Sequence, residues 1–346
     1  MAYEHILGHT RPIAQLERAR QTGRVAHAYL FHGPAGVGKE RVALAFATAL
    51  NCAGPEPRPC GACDPCGKIA RGVHPDVRLL ACEAEQVRRG LVEAGKTAPS
   101  SQIKIEQLDE QSGFFRHAPY AGRTKVLVVV DAERMNLHCQ NRFLKTLEEP
   151  SADTLIVLVS AQPEALLPTI RSRCQALAFG PLPRELLAQH LHQARELPLE
   201  RARVVAAMAQ GSLGQALALA EEGYLEERDQ LVQGLGQALE GDLADALEVA
   251  GAIGEGREAR ERLETSLGLL ELWLRDVMLC GLGVNPGQWV NQDRAEELGR
   301  AAARVDPARL LGWLDRIREV RASLKSNANP RMAMESLLLA MRMVSA

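Results

Sequence analysis

The sequence predicts an α/β phosphate-loop domain built on a parallel sheet, followed by helix alone. Three observations carry that prediction. The first is the glycine-rich run Gly33-Pro-Ala-Gly36-Val-Gly38-Lys39, set between a short apolar stretch and an amphipathic one. The second is the alternation, over residues 1–180, of short apolar runs with helical periodicity, which marks strands joined by crossover helices. The third is composition. Aromatic residues are only 4% of the chain, and Ala and Leu dominate after residue 185, which favours helices over a β-sandwich.

Taken in chain order, Ala28-Tyr-Leu-Phe31 reads as a buried strand entering the glycine loop. Lys39 to Leu50 follows as a helix with Val42, Phe46, Ala49 and Leu50 on one face. Residues 54–65, rich in Pro, Gly and Cys, read as loop, and the polar stretch 83–102 as a mobile loop or a frayed helix. Val126-Leu-Val-Val-Val130 is a second strand, ending at Asp131. A helix carrying Cys139, Phe143, Leu144 and Leu147 at helical spacing comes next, stopped by Pro150. Leu155-Ile-Val-Leu-Val159 is a third strand, ending at Ser160. Parallel strands place a ligand crevice at their carboxyl ends, where Gly33, Asp131 and Ser160 fall.

Leu177-Ala-Phe-Gly-Pro-Leu-Pro183 reads as a hinge. The predicted organisation is a phosphate-loop domain over 1–180 with a cysteine insert at 52–66, a small helical lid over 181–222, and an all-helical domain over 223–346. The lid contains a turn at Gly211-Ser-Leu-Gly214 before a helix at Gln215. Breaks fall at Gly281–Pro286 and Asp306-Pro307 in the last domain.

At 346 residues, with 46% apolar and 24% charged residues, the chain has the make-up of an ordinary globular protein of two or three domains. A formal net charge of −2 gives no global basic signal for nucleic acid. The first residues lack the basic and apolar regions of a signal peptide, and no apolar run approaches membrane-spanning length. The expected location is therefore cytoplasmic, with no membrane partner.

Cys52, Cys60, Cys63 and Cys66 form C-x7-C-x2-C-x2-C. Four thiolates at that spacing close a tetrahedral zinc site, with the Cys-x2-Cys turns supplying ligands in pairs. Four protein ligands leave no position for water, so such a site is structural. The competing readings are unrelated buried thiols or an iron–sulfur cluster. Cys139 lies on an apolar helix face and reads as core.

In a working phosphate loop, backbone N–H groups and the lysine hold the phosphates while a following Ser or Thr hydroxyl binds Mg²⁺. Here Gly33, Gly36, Gly38 and Lys39 are in place, but Glu40 stands at the hydroxyl position. Asp131 ends the second strand as a metal-side acid should. It is followed by Ala132, however, and Glu133 comes one residue later, a shift expected to turn its carboxylate from the crevice. Two altered catalytic positions, 40 and 132, point to a chain that does not hydrolyse ATP. Whether Lys39 still holds nucleotide is open from sequence.

Arg173, in Ser172-Arg173-Cys174, reads alone as a surface arginine in an ion pair. The wider pattern gives it a second reading. His27-Ala-Tyr-Leu-Phe31, the four-cysteine insert, Leu144-Lys-Thr-Leu-Glu-Glu-Pro150, Ser172-Arg173-Cys174 and Asn327-Ala-Asn-Pro330 with its Leu-rich helix together resemble the delta-prime family of bacterial DNA polymerase III clamp-loader subunits, in the AAA+ superfamily. The resemblance covers nearly the whole chain and is firmest over 5–180. Motor subunits of that superfamily carry Ser or Thr at position 40, Glu at 132 and Arg at the lid turn, where this chain has Glu40, Ala132 and Gly214. The resemblance implies a heteropentamer with gamma/tau motor subunits and delta, acting on a sliding clamp and primed DNA. It also implies that Arg173 acts as an arginine finger in a neighbour's ATP site and that the helices after 223 form a collar. Two rivals are an active ATPase motor subunit and a zinc-containing nucleic-acid-binding module fused to a phosphate-loop domain.

Overall fold

The computed structural model describes residues 3, 5–93, 98–115, 117–149, 153–221, 224–251, 257–325 and 328–343, except 241–242. Pro150 and Asn327, both used in the sequence reading, lie outside the described residues. The chain divides into two compact units: Met1–Leu186 with Gly211–Gln215, and Leu187–Gln210 with Ala216–Ala346.

The first unit is a five-stranded sheet of β1 (Ala28–His32), β2 (Val77–Leu80), β3 (Lys125–Val129), β4 (Thr154–Ser160) and β5 (Gln175–Ala178). The strand order is β2-β3-β4-β1-β5 and every pairing is parallel. This is the parallel α/β fold that the sequence predicts. The predicted strands are the three central ones, and they are buried along nearly their whole length, as strands covered on both faces must be.

Alternate residues build two cores. Tyr29, Phe31, Val126, Val128, Leu155 and Val157 point one way, against Leu16 of α1 (Thr10–Gln21) and Val42 and Phe46 of α2 (Lys39–Asn51). Leu30, Leu127, Val129, Ile156 and Leu158 point the other way. They meet the helices that follow α3 (Asp64–Ala70) and α4 (Glu83–Arg88). These are α5 (Ile105–Phe115), α6 (Leu137–Glu148) and α7 (Pro168–Arg171), which contribute Leu108, Cys139, Phe143, Leu147 and Ile170. Cys139 is fully buried, as its helix position predicts, and its thiol donates to the Ile103 carbonyl at 3.1 Å.

Two buried polar residues pin the loop before β3. Asn51 Oδ1 accepts the Arg123 and Thr124 N–H groups at 2.8 and 3.0 Å. The Asp76 carboxylate accepts three N–H groups, from Tyr120, Ala121 and Gly122, all at 2.7 Å. Burial disfavours the charge on Asp76, but the three backbone donors outweigh it and hold the carboxyl below its ordinary range.

The second unit is helical: the end of α8 (Arg184–Arg195), α9 (Leu199–Met208), the rest of α10 (Leu213–Leu219), α11 (Tyr224–Glu240), α12 (Leu243–Gly251), α13 (Arg257–Gly281), α14 (Ala295–Arg304), α15 (Pro307–Lys325) and α16 (Pro330–Met343). The predicted breaks coincide with the end of α13 at Gly281 and the start of α15 at Pro307. Leu263, Leu267, Leu270, Trp273, Ile317 and Leu337 lie at its centre. Among the described residues no helix is long and apolar enough to cross a membrane.

Candidate functional site

β1 carries the chain into the glycine loop at the carboxyl edge of the sheet, and α2 carries it away. Gly33, Gly36 and Gly38 have φ angles of 145°, 71° and 108°, conformations that side chains rarely adopt. Space is equally restrictive. A Cβ on Gly33 would sit 2.0 Å from the Phe179 carbonyl oxygen, and one on Gly36 would sit 2.3 Å from Ser212 Oγ. The Gly211–Gly214 turn thus lies directly on the phosphate loop, and the Gly214 N–H donates to the Gly36 carbonyl at 2.9 Å. His9 adds a second brace that the sequence reading missed. Its Nε2–H donates to the Val37 carbonyl at 2.7 Å, and its ring meets Phe179 edge-on.

Lys39 is buried, and its Nζ donates to the Gly33 and Pro34 carbonyls at 2.6 Å each. Burial lowers its pKa, while the neighbouring Glu133 and Asp131 carboxylates act in the opposite direction. Asp131 follows β3 in the left-handed region, at φ 49°, and forms an ion pair with Arg134 at 3.2 Å. Its carboxyl is pushed upward, first by burial and then by Glu133.

Glu133 departs from expectation. Its carboxylate does not leave the crevice, because the left-handed residue at Asp131 and the short 3-10 turn Ala132–Arg134 bring it back to the strand ends. There Oε1 accepts the Ala161 N–H at 2.9 Å, beyond β4. Its Oε2 is buried without a hydrogen-bond partner among the described residues. Ala132, at the position of the usual water-polarising acid, is fully buried. Ser160 is buried too, and its hydroxyl accepts the Gln162 N–H at 3.1 Å.

Glu40 has a protein partner. Its two carboxylate oxygens accept from Nη1 and Nη2 of Arg89 at 2.6 and 2.8 Å, a two-pronged fork. Arg89 Nε donates to Glu85 Oε1 at 2.6 Å, and Glu85 also pairs with Arg88. Arg89 caps the C-terminal end of α4, in the stretch read from sequence as mobile or frayed.

Arg173 lies just past α7, before β5, at the surface. It is ion-paired within the chain, to Glu148 at 2.8 Å, and donates to the Thr169 carbonyl at 3.1 Å.

The four cysteines come together as their spacing predicts. Cys52 follows α2, Cys60 lies in the loop, Cys63 caps α3 and Cys66 lies within α3. Their sulfurs all lie within 4.8 Å of one another, with Cys52–Cys63 at 3.9 Å and Cys63–Cys66 at 3.3 Å. A tetrahedral zinc with bonds of about 2.3 Å sets sulfurs about 3.8 Å apart, so the donor set fits that ion. Gly54 leaves the room, since a Cβ there would lie 2.6 Å from Cys60 Sγ. Backbone N–H groups from Ala62 and Cys63 lower the Cys60 thiol. At Cys63 burial works against ionisation, but the amides of Cys66 and Ala53 prevail and bring the pKa to about 6. Burial pushes Cys66 up to about 12. Two nearby basic residues face acids: Lys68 pairs with Asp64 at 2.8 Å and Arg58 with Glu56 at 3.6 Å.

Residues 8–183 match the family described as DNA polymerase III, delta subunit, and residues 222–342 match its C-terminal counterpart. The delta-prime subunit of Escherichia coli DNA polymerase III is 31% identical over 333 residues, covering 94% of this chain and 91% of that one. The chain belongs to the DNA polymerase III delta-prime family. The delta-prime subunit of Pseudomonas aeruginosa is 38% identical over 223 residues, which is 63% of each chain. Similarity extends to E. coli DNA polymerase III subunit tau, 29% identical over 341 residues, which span 96% of this chain but 46% of tau.

Proposed function

We propose that this chain is a delta-prime subunit that hydrolyses no ATP and completes the ATP site of its neighbour. The observation that carries the reading is Glu40. In place of a metal-binding hydroxyl, a carboxylate follows the phosphate-loop lysine and is already paired with a protein cation. Three further features support it. Ala132 offers no carboxylate to polarise water. Gly214 supplies a backbone N–H to the loop and no side chain. Lys39 is engaged with the loop's own carbonyls and faces two carboxylates.

In this reading the phosphate-loop domain is a scaffold, and its useful chemistry is Arg173. The guanidinium leaves Glu148 to meet the γ-phosphate held by the adjacent gamma/tau motor subunit, where a planar cation stabilises the charge that develops during transfer. The surface position of Arg173 and its exposed pairing with Glu148 suit that exchange. The helical lid, over about 181–222, and the collar, over about 223–346, join the chain to motor subunits and delta in a heteropentamer. That assembly opens a sliding clamp on primed DNA in the cytoplasm. One structural zinc on Cys52, Cys60, Cys63 and Cys66 ties the end of α2 to α3.

Glu133 favours a second reading, that of an active motor, because its carboxylate stays at the strand ends near Lys39. ATP turnover by the isolated chain separates the two. The proposed role predicts none above background with Mg²⁺ present, and a sustained rate abolished by Lys39→Met would establish the motor reading instead.

A further inference from the structure

Position 40 is a change of residue, and the structure shows what comes with it. The Glu40 carboxylate is bonded at both oxygens by one guanidinium, that of Arg89. The guanidinium is held from behind by Glu85, which is almost wholly buried. Arg89 and Glu40 are themselves about three-quarters covered. The other metal-side acid, Asp131, is likewise paired with an arginine, Arg134. Arg134 in turn donates to the Ser101 carbonyl at 3.2 Å.

From these contacts we infer that Arg89 is the built-in occupant of the metal side of this phosphate loop, and that the Glu40–Arg89 fork makes the loop refuse metal-bound nucleoside triphosphate. The inference rests on the non-hydrolysing reading and adds a determinant to it. In a working loop, residue 40 would give its oxygen to a divalent cation that bridges the phosphates. Here the same position gives two oxygens to a cation that cannot leave, since it is part of the chain. Glu40, Arg89, Glu85 and Arg88 form a row of two negative and two positive groups, so the row has no net charge left to recruit a metal. The fork also fixes helix α4 against the first turn of α2, beside the glycine loop.

Two changes are then needed to rebuild a metal site, and the singles fail for different reasons. Arg89→Ala leaves Glu40 as a bare carboxylate facing the phosphates. Glu40→Thr restores the hydroxyl but leaves the Arg89 cation beside it, still anchored by Glu85. Only Glu40→Thr with Arg89→Ala offers a hydroxyl and room for the ion.

The experiment measures binding of a fluorescent, non-hydrolysable ATP analogue to the isolated full-length chain, with Mg²⁺ and with EDTA, for wild type, both singles and the double variant. Circular dichroism and melting verify that each is folded. The expected result is no Mg²⁺-dependent binding by wild type or Arg89→Ala, and binding by Glu40→Thr that is indifferent to Mg²⁺. The double variant should bind at least about tenfold more tightly with Mg²⁺ than with EDTA. A folded double variant with no gain, or a Glu40→Thr single that acquires full Mg²⁺ dependence with Arg89 intact, overturns the inference. ATP turnover by wild type, measured alongside, tests the non-hydrolysing reading separately. Turnover would sink that reading, whereas failure of the double variant with no wild-type turnover would leave it standing and discard only the role of Arg89.

Discussion

Replacing Gly36 by Ala tests whether the Gly211–Gly214 turn rests on the phosphate loop as the structure has it. Two costs add. Gly36 holds φ 71°, in the left-handed region, where a side chain costs about 1–2 kcal/mol. The new methyl would also sit 2.3 Å from Ser212 Oγ. Ser212 can turn away only by giving up its acceptor bond to the Gln215 N–H, at 3.2 Å, so overpacking of about 1–3 kcal/mol follows. The sum, about 2–5 kcal/mol, corresponds to a melting temperature lower by roughly 5–15 °C for a unit of this size. The assay is thermal and urea unfolding of wild type, Gly36→Ala, Ser212→Gly and the double variant. Ser212→Gly alone should cost a few tenths of a kcal/mol, because glycine is tolerated at a helix cap. Combined with Gly36→Ala it should recover the steric share and leave the backbone share of about 1–2 kcal/mol. Strict additivity of the two changes would refute the contact, and a Gly36→Ala protein as stable as wild type would refute the loop conformation as well.

Other predictions follow from buried groups elsewhere in the first unit. Metal analysis of purified protein should find one zinc per chain, and Cys63→Ser should abolish it while Cys82→Ser, outside the cluster, should not. A folded, zinc-free wild-type protein would contradict that. Asp76→Ala takes the buried acceptor from three partly buried N–H donors and should cost about 2–4 kcal/mol in denaturant unfolding. Because the folded Asp76 carboxyl titrates below its ordinary range, its contribution is complete above the unfolded value of about 3.9 and is lost as pH falls toward the folded value. Wild type should therefore lose stability more steeply than Asp76→Ala below about pH 5; parallel pH profiles for the two would refute the assignment.

What the sequence made legible is what it carries locally. The three central strands are continuous apolar runs because both faces of the sheet are covered, and α2 shows its face by period. The edge strands were not assigned. β2 places Arg78 outward and β5 buries Leu177 alone, so neither has an apolar run to find. The glycine loop, Asp131 and the four cysteines were legible for the same reason, since each is a short pattern whose chemistry depends on spacing. Pairs made by the tertiary fold were not. Arg89 stands 49 residues from Glu40, in a stretch read as a mobile loop or a frayed helix, and no periodicity links them. Asp76 and Asn51 read as unremarkable polar residues until the loop they fasten is seen. Glu133 was misjudged because residue count alone cannot anticipate the left-handed turn at Asp131.

The central claim is that Arg173 acts on a neighbour's nucleotide, and it is tested most directly by single-turnover ATP hydrolysis in a reconstituted loader. Only the motor subunit adjacent to this chain should be left able to bind ATP. With Arg173→Ala, assembly and the melting temperature of the isolated subunit should be unchanged, because the lost ion pair with Glu148 is exposed and contributes little. Hydrolysis at that one site should fall by about a thousandfold or more. A variant loader that assembles and hydrolyses at the wild-type rate would contradict the account.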